Sequence, residues 1–346
     1  MKLGIVNSDI FKKHDTGSEH SENYKRLNAI ESELKNRKIY NELKYIKNKP
    51  IDFEQLYKVH SPEYVKSVKD FCSNGGGWID EDSIASTDSY DVALNAAGSV
   101  LESVDQIFTN EIDRAFCMIR PPGHHAMPDV SMGFCLFSNL SLGAVYAQEK
   151  YGIDRILVLD WDAHHGNGTE KIFYNSDKVF TVSWHQENNW PYTGKIEEIG
   201  EGKGLGYNMN IPIPEGFTDQ AFIETFDNLI VPLAKSYKPQ LIILAAGYDA
   251  HWKDHLSKLN MTSPVYNVLT KKIMSLSEEL CDGKVLATLE GGYNLDALAE
   301  CSCNTLEYMF DADKKILDNT SKDKDENVEY IKKTISNIIE LQPLLK

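Results

Sequence analysis

No stretch of this chain approaches the roughly 20 consecutive apolar residues that a membrane helix requires, so no part of it is expected to span a bilayer. The first residues, Met1 to Ile10, form a short apolar run broken by Asn7 and Asp9, without the layout of a signal peptide. Cysteine is sparse: six in 346 residues, none in a CxxC pair. That argues against a thiolate zinc knuckle or a dithiol redox motif, and the apolar neighbours of several suit reduced core thiols in the cytoplasm. Positive charge is the scarcer sign, 36 Lys and Arg against 52 Asp and Glu, for a net charge of −16. An acidic surface disfavours a nucleic-acid backbone as partner and suits a cationic substrate, although solubility alone also explains it. Internal repeats and clean domain boundaries are also missing. Residues 1–346 therefore read as a single domain, and at 42% hydrophobic residues the chain can bury a large core.

What is present is an alternation of short apolar runs and helical patterns. Leu3 to Val6, Ala115 to Met118, Arg155 to Leu159, Val179 to Trp184, Tyr207 to Ile213, Leu241 to Ala246 and Lys284 to Leu289 read as strands. Between them, Lys25 to Asn36, a segment capped by Ser61-Pro62, the small-residue stretch Tyr90 to Ile107 and Asn139 to Tyr151 read as helices. Phe217 to Tyr237 reads as mostly helix, with Pro232 marking a break. Ser73-Asn-Gly-Gly-Gly77 is expected to be a flexible loop, followed by Asp80 and Asp82. Lys314 to Lys333 is a mixed-charge connection. Val328, Ile331, Ile335, Ile338 and Ile339 then space out a C-terminal amphipathic helix. The pattern predicts an α/β fold, a mostly parallel sheet with helices on both faces and ligands at the carboxyl ends of its strands.

The polar clusters fall at those ends. Arg155-Ile-Leu-Val-Leu-Asp160-Trp-Asp162-Ala-His164-His165-Gly166-Asn167-Gly168-Thr169 turns from apolar to polar abruptly, with two carboxylates and two imidazoles within nine residues. Burying so many polar groups needs an offset, and a divalent metal is the usual one. Asp162 and His164, joined by Asp249 at the end of another strand, make a three-ligand set that leaves a place open, the catalytic rather than the structural pattern. Zinc fits such a set, and iron(II) or cobalt satisfies it too. Arg120-Pro-Pro-Gly-His124-His125 is a rigid turn carrying a second histidine pair. Ten histidines placed at random would give roughly 0.3 adjacent pairs, and there are two. An imidazole beside a metal is suited to take a proton from water. Tyr293, after Gly291-Gly292, is placed to donate to an oxyanion, and Phe134 and Trp190 are bulky enough to wall a slot.

Taken together, Arg120-Pro-Pro-Gly-His-His-Ala126, Gly133-Phe134-Cys135, Asp160-Trp-Asp-Ala-His-His-Gly-Asn-Gly-Thr169, Ala246-Gly-Tyr-Asp249 and Glu290-Gly-Gly-Tyr293 resemble the zinc-dependent histone deacetylase family, which includes acetylpolyamine amidohydrolases and acetoin-utilisation proteins. The resemblance runs from about His20 to about Tyr293. It implies an arginase-like three-layer fold with an eight-stranded sheet, and one zinc per chain on Asp162, His164 and Asp249. It makes His125 the general base and acid, His124 its electrostatic partner and Tyr293 the group that polarises the scissile carbonyl. Asp160 and Asn167 would back the histidines, and Gly133, Phe134, Trp190 and Leu256 would line the substrate tunnel. Potassium is implied near Asp160, Asp162, His164, Ser183 and Trp184, and a second potassium near Phe173, Ser176, Val179 and Tyr207. Asp80 or Asp82 would be the aspartate at the tunnel rim.

The departures carry expectations as well. Asn167 stands where class I eukaryotic members have aspartate, as it does in class II and bacterial members, and should raise its histidine's pKa less than a carboxylate would. His20-Ser-Glu-Asn-Tyr-Lys-Arg26 lacks the prolines of the family's His-Pro-Glu-x-Pro-x-Arg, so the entrance loop is expected to differ. Leu256 occupies a region where polyamine-selective relatives place an acidic residue, which leans away from a polyamine specialist. The expected activity is metal-dependent removal of an acyl group, acetyl first, from a lysine-like or other primary amine in the cytoplasm. The alternatives are an acetylpolyamine amidohydrolase, a two-manganese ureohydrolase and a non-catalytic acyl-lysine binding protein. The residues leave the acyl group, the partner carrying the amine and the oligomeric state open.

Overall fold

The computed structural model describes residues 1–314 and 328–346. Eight of its ten strands form one sheet: β1 (Leu3–Val6), β2 (Lys44–Ile46), β5 (Arg114–Cys117), β6 (Ile156–Asp160), β7 (Val179–Gln186), β8 (Asn208–Ile213), β9 (Leu241–Ala246) and β10 (Val285–Leu289). Their spatial order is β2-β1-β5-β10-β9-β6-β7-β8, and every neighbouring pair is parallel. The other two strands, β3 (Gly77–Trp78) and β4 (Ile84–Ala85), make a small antiparallel hairpin. It forms where the glycines suggested only a loop, and it holds Asp80 and Asp82 in its turn. A parallel sheet needs crossovers, and buried strands need cover on both faces. The helices supply both: α1 (Lys25–Lys35), α2 (Phe53–Leu56), α3 (Pro62–Ser73), α4 (Ser89–Phe108), α5 (Asn139–Tyr151), α6 (Asn167–Phe173), α7 (Asp219–Thr225), α8 (Val231–Tyr237), α9 (Ser263–Cys281), α10 (Leu295–Phe310) and α11 (Val328–Leu341).

Strands β5, β6, β9 and β10 are buried at every position, the polar Arg114, Asp160 and Thr288 included. The edge strand β2 is short and largely exposed, and it has no apolar run for sequence to reveal. Ser61 caps α3 by accepting from the Tyr64 amide at 3.3 Å, with Pro62 in the first turn as expected. The expected break at Pro232 is not a break. The chain passes from α7 through one wide π turn, Phe226–Ile230, directly into α8. Proline lacks an N–H, and widening the turn before it spares the helix a full interruption. Ile331, Ile335 and Ile338 are buried, so the C-terminal helix lays its apolar face on the body. Most of the mixed-charge connection lies outside the described residues.

This topology puts four distant stretches of sequence side by side. The central strands β5, β10, β9 and β6 are consecutive neighbours. Their ends are level: Asp160 pairs with Ala245, and Leu289 with Ala246. The residues after each strand therefore emerge on one edge of the sheet, each strand end about 4.8 Å from the next.

Candidate active site

The floor of the site is the cluster predicted from the motifs. The ligand-type atoms of Asp162, His164 and Asp249 lie within 4.8 Å of one another. His164 Nδ1 is 2.8 Å from Asp249 Oδ2 and 3.3 Å from Asp162 Oδ1. Backbone amides aim the carboxylates: Gly291 N donates to Asp162 Oδ2 at 2.8 Å, and Ala163 N to Asp249 Oδ1 at 2.8 Å. Both aspartates are buried, while the His164 side chain keeps 11% of its surface open. Burial, then the neighbouring Asp162 charge, pushes the Asp249 carboxyl up to about 7. Burial also acts on His164, but the Asp249 and Asp162 charges outweigh it and raise the imidazole well above its ordinary value. The donor set and its backbone supports fit a divalent ion. His124, His125 and Asp162 form a second close group. His124 is committed there through Nδ1 to Asp160 Oδ2 at 2.9 Å, which leaves the first set the better ligand group.

The histidine pair sits above this floor with its ring centroids 3.8 Å apart. The two rings are driven in opposite directions. Burial disfavours charge on His124, but Asp162 and Asp160 overcome it and raise its pKa to about 10. Burial, then the charge of His124, drives His125 well below its ordinary value. His125 Nδ1 lies 2.7 Å from Asn167 Oδ1, while the Asn167 amide nitrogen is turned to Met132 Sδ at 3.1 Å. An amide oxygen only accepts, so Nδ1 carries the proton and Nε2 of the neutral ring keeps its lone pair. Burial holds the Tyr293 phenol well above its ordinary pKa, so it remains a donor.

A cavity of about 270 Å³ leads to these groups, lined by Asp82, His125, Gly133, Phe134, His164, Asn189, Trp190, Leu256 and Tyr293. All four expected tunnel residues are among them. The Phe134 and Tyr293 rings meet edge to face at 5.7 Å, and Trp190 meets His125 at 4.7 Å. Gly133 is required twice over, by a φ of +57° and because a Cβ there would come within 2.5 Å of Trp190 Cη2. Phe134 itself has a φ of +68°, rare for an aromatic residue and the kind of strain found where a site dictates a side chain's direction. Asp82 faces the cavity. Asp80 instead turns inward, where its Oδ1 accepts the amides of Asp82 and Ser83 at 2.9 and 2.6 Å.

The structure also gives parts to residues to which the motifs had assigned no role. Glu22 is fully buried and bridges Arg120 and Arg26, accepting from Arg120 Nη2 at 2.7 Å and Arg26 Nη1 at 3.1 Å. Arg26 continues to the Gly292 carbonyl at 2.7 Å and lies over the Tyr293 ring, 5.1 Å from its centroid. Asp254 accepts the Tyr293 amide at 2.6 Å, and Asn294 caps α10 immediately afterwards through the Ala297 amide at 3.1 Å. The buried charges of Glu22, Arg26 and Arg120 were visible in the motifs, but their pairing was not. Of the expected potassium residues, Asp160 and Ser183 are register partners on β6 and β7, with Trp184 next along β7. Ser183 Oγ lies 3.1 Å from His185 Nδ1. In the second set, Phe173 ends α6, Val179 opens β7 and Tyr207 precedes β8. There the Phe173 carbonyl accepts the Ser176 amide at 2.8 Å.

An all-parallel central sheet with this cluster at its carboxyl edge defines an α/β protein with a site whose side chains could hold a metal. Comparison with known proteins narrows the class. The histone deacetylase domain matches residues 20–309. A probable deacetylase of Archaeoglobus fulgidus is 38% identical over 298 residues, covering 86% of this chain and 82% of that protein. A histone deacetylase-like amidohydrolase of Pseudomonas aeruginosa is 34% identical, covering 75% of this chain and 69% of that one. The human polyamine deacetylase HDAC10 is 33% identical over 82% of this chain, which spans 44% of that protein. The crystal structure of the HDA15 HD domain superposes with a TM-score of 0.87 and 29% identity, covering 100% of this chain and 98% of that one. The chain belongs to the histone deacetylase family and is a hydrolase acting on amide bonds.

Proposed function

We propose that this hydrolase removes an acyl group, acetyl first, from the side-chain amine of a lysine or a similar primary amine, and that it does so with zinc. Asp162, His164 and Asp249 would hold the ion, which would supply a Lewis acid and make water more acidic. His125 takes the proton of the attacking water on its free Nε2, because Asn167 keeps the other nitrogen protonated. His124, kept positive by Asp160 and Asp162, disfavours a lasting second charge on its neighbour and so helps His125 pass its proton on. The Tyr293 phenol donates to the developing oxyanion. His125 then delivers the proton to the amine, which must be protonated to leave readily. Phe134 and Trp190 hold the apolar stem of the substrate and exclude water. Asp82 meets the backbone amide or second amine at the rim. Potassium at the two expected sets belongs to the same proposal.

The observation that carries this reading is a cavity onto which the His125 imidazole, the Tyr293 phenol and His164, one member of the three-ligand cluster with Asp162 and Asp249, all open. A polyamine is the second reading, and it is supported by the Asp82 carboxylate, which suits a distal ammonium. Leu256, also in the cavity wall, favours an acyl-lysine. The deciding experiment assays acylated lysine peptides, free acetyl-lysine and acetylated polyamines with and without chelator, alongside elemental analysis. Turnover that stops on chelation and returns with one zinc per chain supports the proposal. Turnover indifferent to chelation, or two manganese ions per chain, overturns it.

A further inference from the structure

We infer that Glu290 is a positioning residue: its side chain locks the turn carrying His124 and His125 to the turn carrying Tyr293 by accepting backbone amides. The inference rests on the roles proposed above for those three residues. Glu290 is wholly buried, and among the described residues its carboxylate has no lysine or arginine partner. A carboxyl in that position is costly, and burial pushes its pKa up to about 7. What it has instead is geometry. Its Oε2 accepts the Gly123 amide at 2.7 Å and the His124 amide at 3.1 Å, and its Oε1 accepts the Thr288 hydroxyl at 3.0 Å.

Those two amides belong to a turn that has left strand β5, so no ladder neighbour serves them. Without Glu290 both would be buried donors lacking an acceptor. The same short stretch reaches the other strand ends through its backbone. The Glu290 amide donates to Ala246 O at 3.1 Å, and the Gly291 amide to Asp162 at 2.8 Å. The link to the histidine turn is the one made by Glu290's own side chain, so a substitution at Glu290 cuts it and leaves these backbone links in place. A shift of about 1 Å in a reacting group is enough to cost on the order of 10² in rate.

Three variants separate geometry from charge and from volume. Glu290→Gln keeps an acceptor at the same reach and loses the charge. Glu290→Asp keeps the charge and loses the reach. Glu290→Leu keeps the volume and loses both. Glu290→Asp and Glu290→Leu should lower kcat by on the order of 10², with KM nearly unchanged, and Glu290→Gln should recover about tenfold or more of that loss. Hydrogen exchange at the Gly123 and His124 amides should quicken in the Asp and Leu variants and stay slow in the Gln variant. Elemental analysis and melting temperature establish that each variant is folded and loaded. If Leu fails to fold, the Asp and Gln pair decides. An Asp variant that outperforms Gln, a Leu variant equal to Gln, or unchanged exchange at both amides overturns the inference. His125→Ala, run in parallel, should abolish turnover while retaining metal. If it does not, the proposed reaction fails, and the exchange data still decide whether Glu290 holds the turn.

Discussion

Which nitrogen of His125 carries the proton decides what that ring is able to do. Asn167 settles it by presenting an oxygen 2.7 Å away, so the free nitrogen is the one available for proton transfer. His124, 3.8 Å away ring to ring, is held at the opposite charge state by two aspartates. Two like groups driven apart by their surroundings are a frequent basis for dividing acid and base work. At the same scale, Tyr293 matters through one hydroxyl. Tyr293→Phe should lower kcat by on the order of 10² to 10³ with little change in KM, measured by steady-state kinetics on an acetyl-lysine peptide. A loss confined to KM would remove the oxyanion role. These residues stood out in the sequence through their paired histidines and carboxylates at strand ends, while the separate roles of His124, His125 and Tyr293 came from the family resemblance. The choice between Asp80 and Asp82 was not legible. It depends on which carboxylate caps its own hairpin turn and which faces the cavity, and two aspartates of the same loop look alike until the turn is built.

Among the elements, the histidines, the carboxylate ligands and Tyr293 come from the turns that leave β5, β6, β9 and β10, Trp190 follows β7 and Asp82 lies in the β3–β4 hairpin, and buried polar ties link several of these turns. Glu22 is the clearest example: one buried carboxylate holds Arg120, before the histidine turn, and Arg26, behind the tyrosine turn. Burial alone would raise the Glu22 carboxyl, but Arg120 and the other basic neighbours outweigh it and hold the group well below the usual range. Cutting a buried pair strands the remaining charges. Glu22→Gln should therefore destabilise the fold by about 3–5 kcal/mol, read from chemical denaturation. A loss under about 1 kcal/mol would mean that the two arginines find other partners. Most strands were legible from apolar runs, and α1, α3, α4, α5 and α11 from spacing, caps or small residues, but the long helices α9 and α10 were not read. The edge strand β2 and the β3–β4 hairpin were not, since each is too short and too polar to leave a periodic trace. The continuous helix through Pro232 was also misjudged, because a π turn depends on packing around it rather than on residue preference.

For the whole molecule, the buried histidines set a limit on acid stability. His60 is neutral inside the fold, accepting from the Ser138 amide at 2.9 Å, and burial lowers its pKa to about 4. The unfolded chain binds that proton near the ordinary value of about 6.5, so between pH 6.5 and 4 unfolding takes up a proton and stability falls as the pH falls. The full effect is about 3 kcal/mol below that window and vanishes above it. His60→Gln, which retains an acceptor, should flatten the dependence of unfolding free energy on pH in that range, and an unaltered slope would refute the assignment. The sequence by itself determined the class of fold, the residue types of the site and the strand ends on which they sit, because apolar periodicity and ligand chemistry are local properties. The tertiary structure alone decided that β5, β10, β9 and β6 are neighbours, that Asp249 meets residues some 85 positions earlier, and that Glu22 and Glu290 tie the turns together. Those contacts depend on the order of strands in the sheet and on burial, and neither is encoded within any one segment.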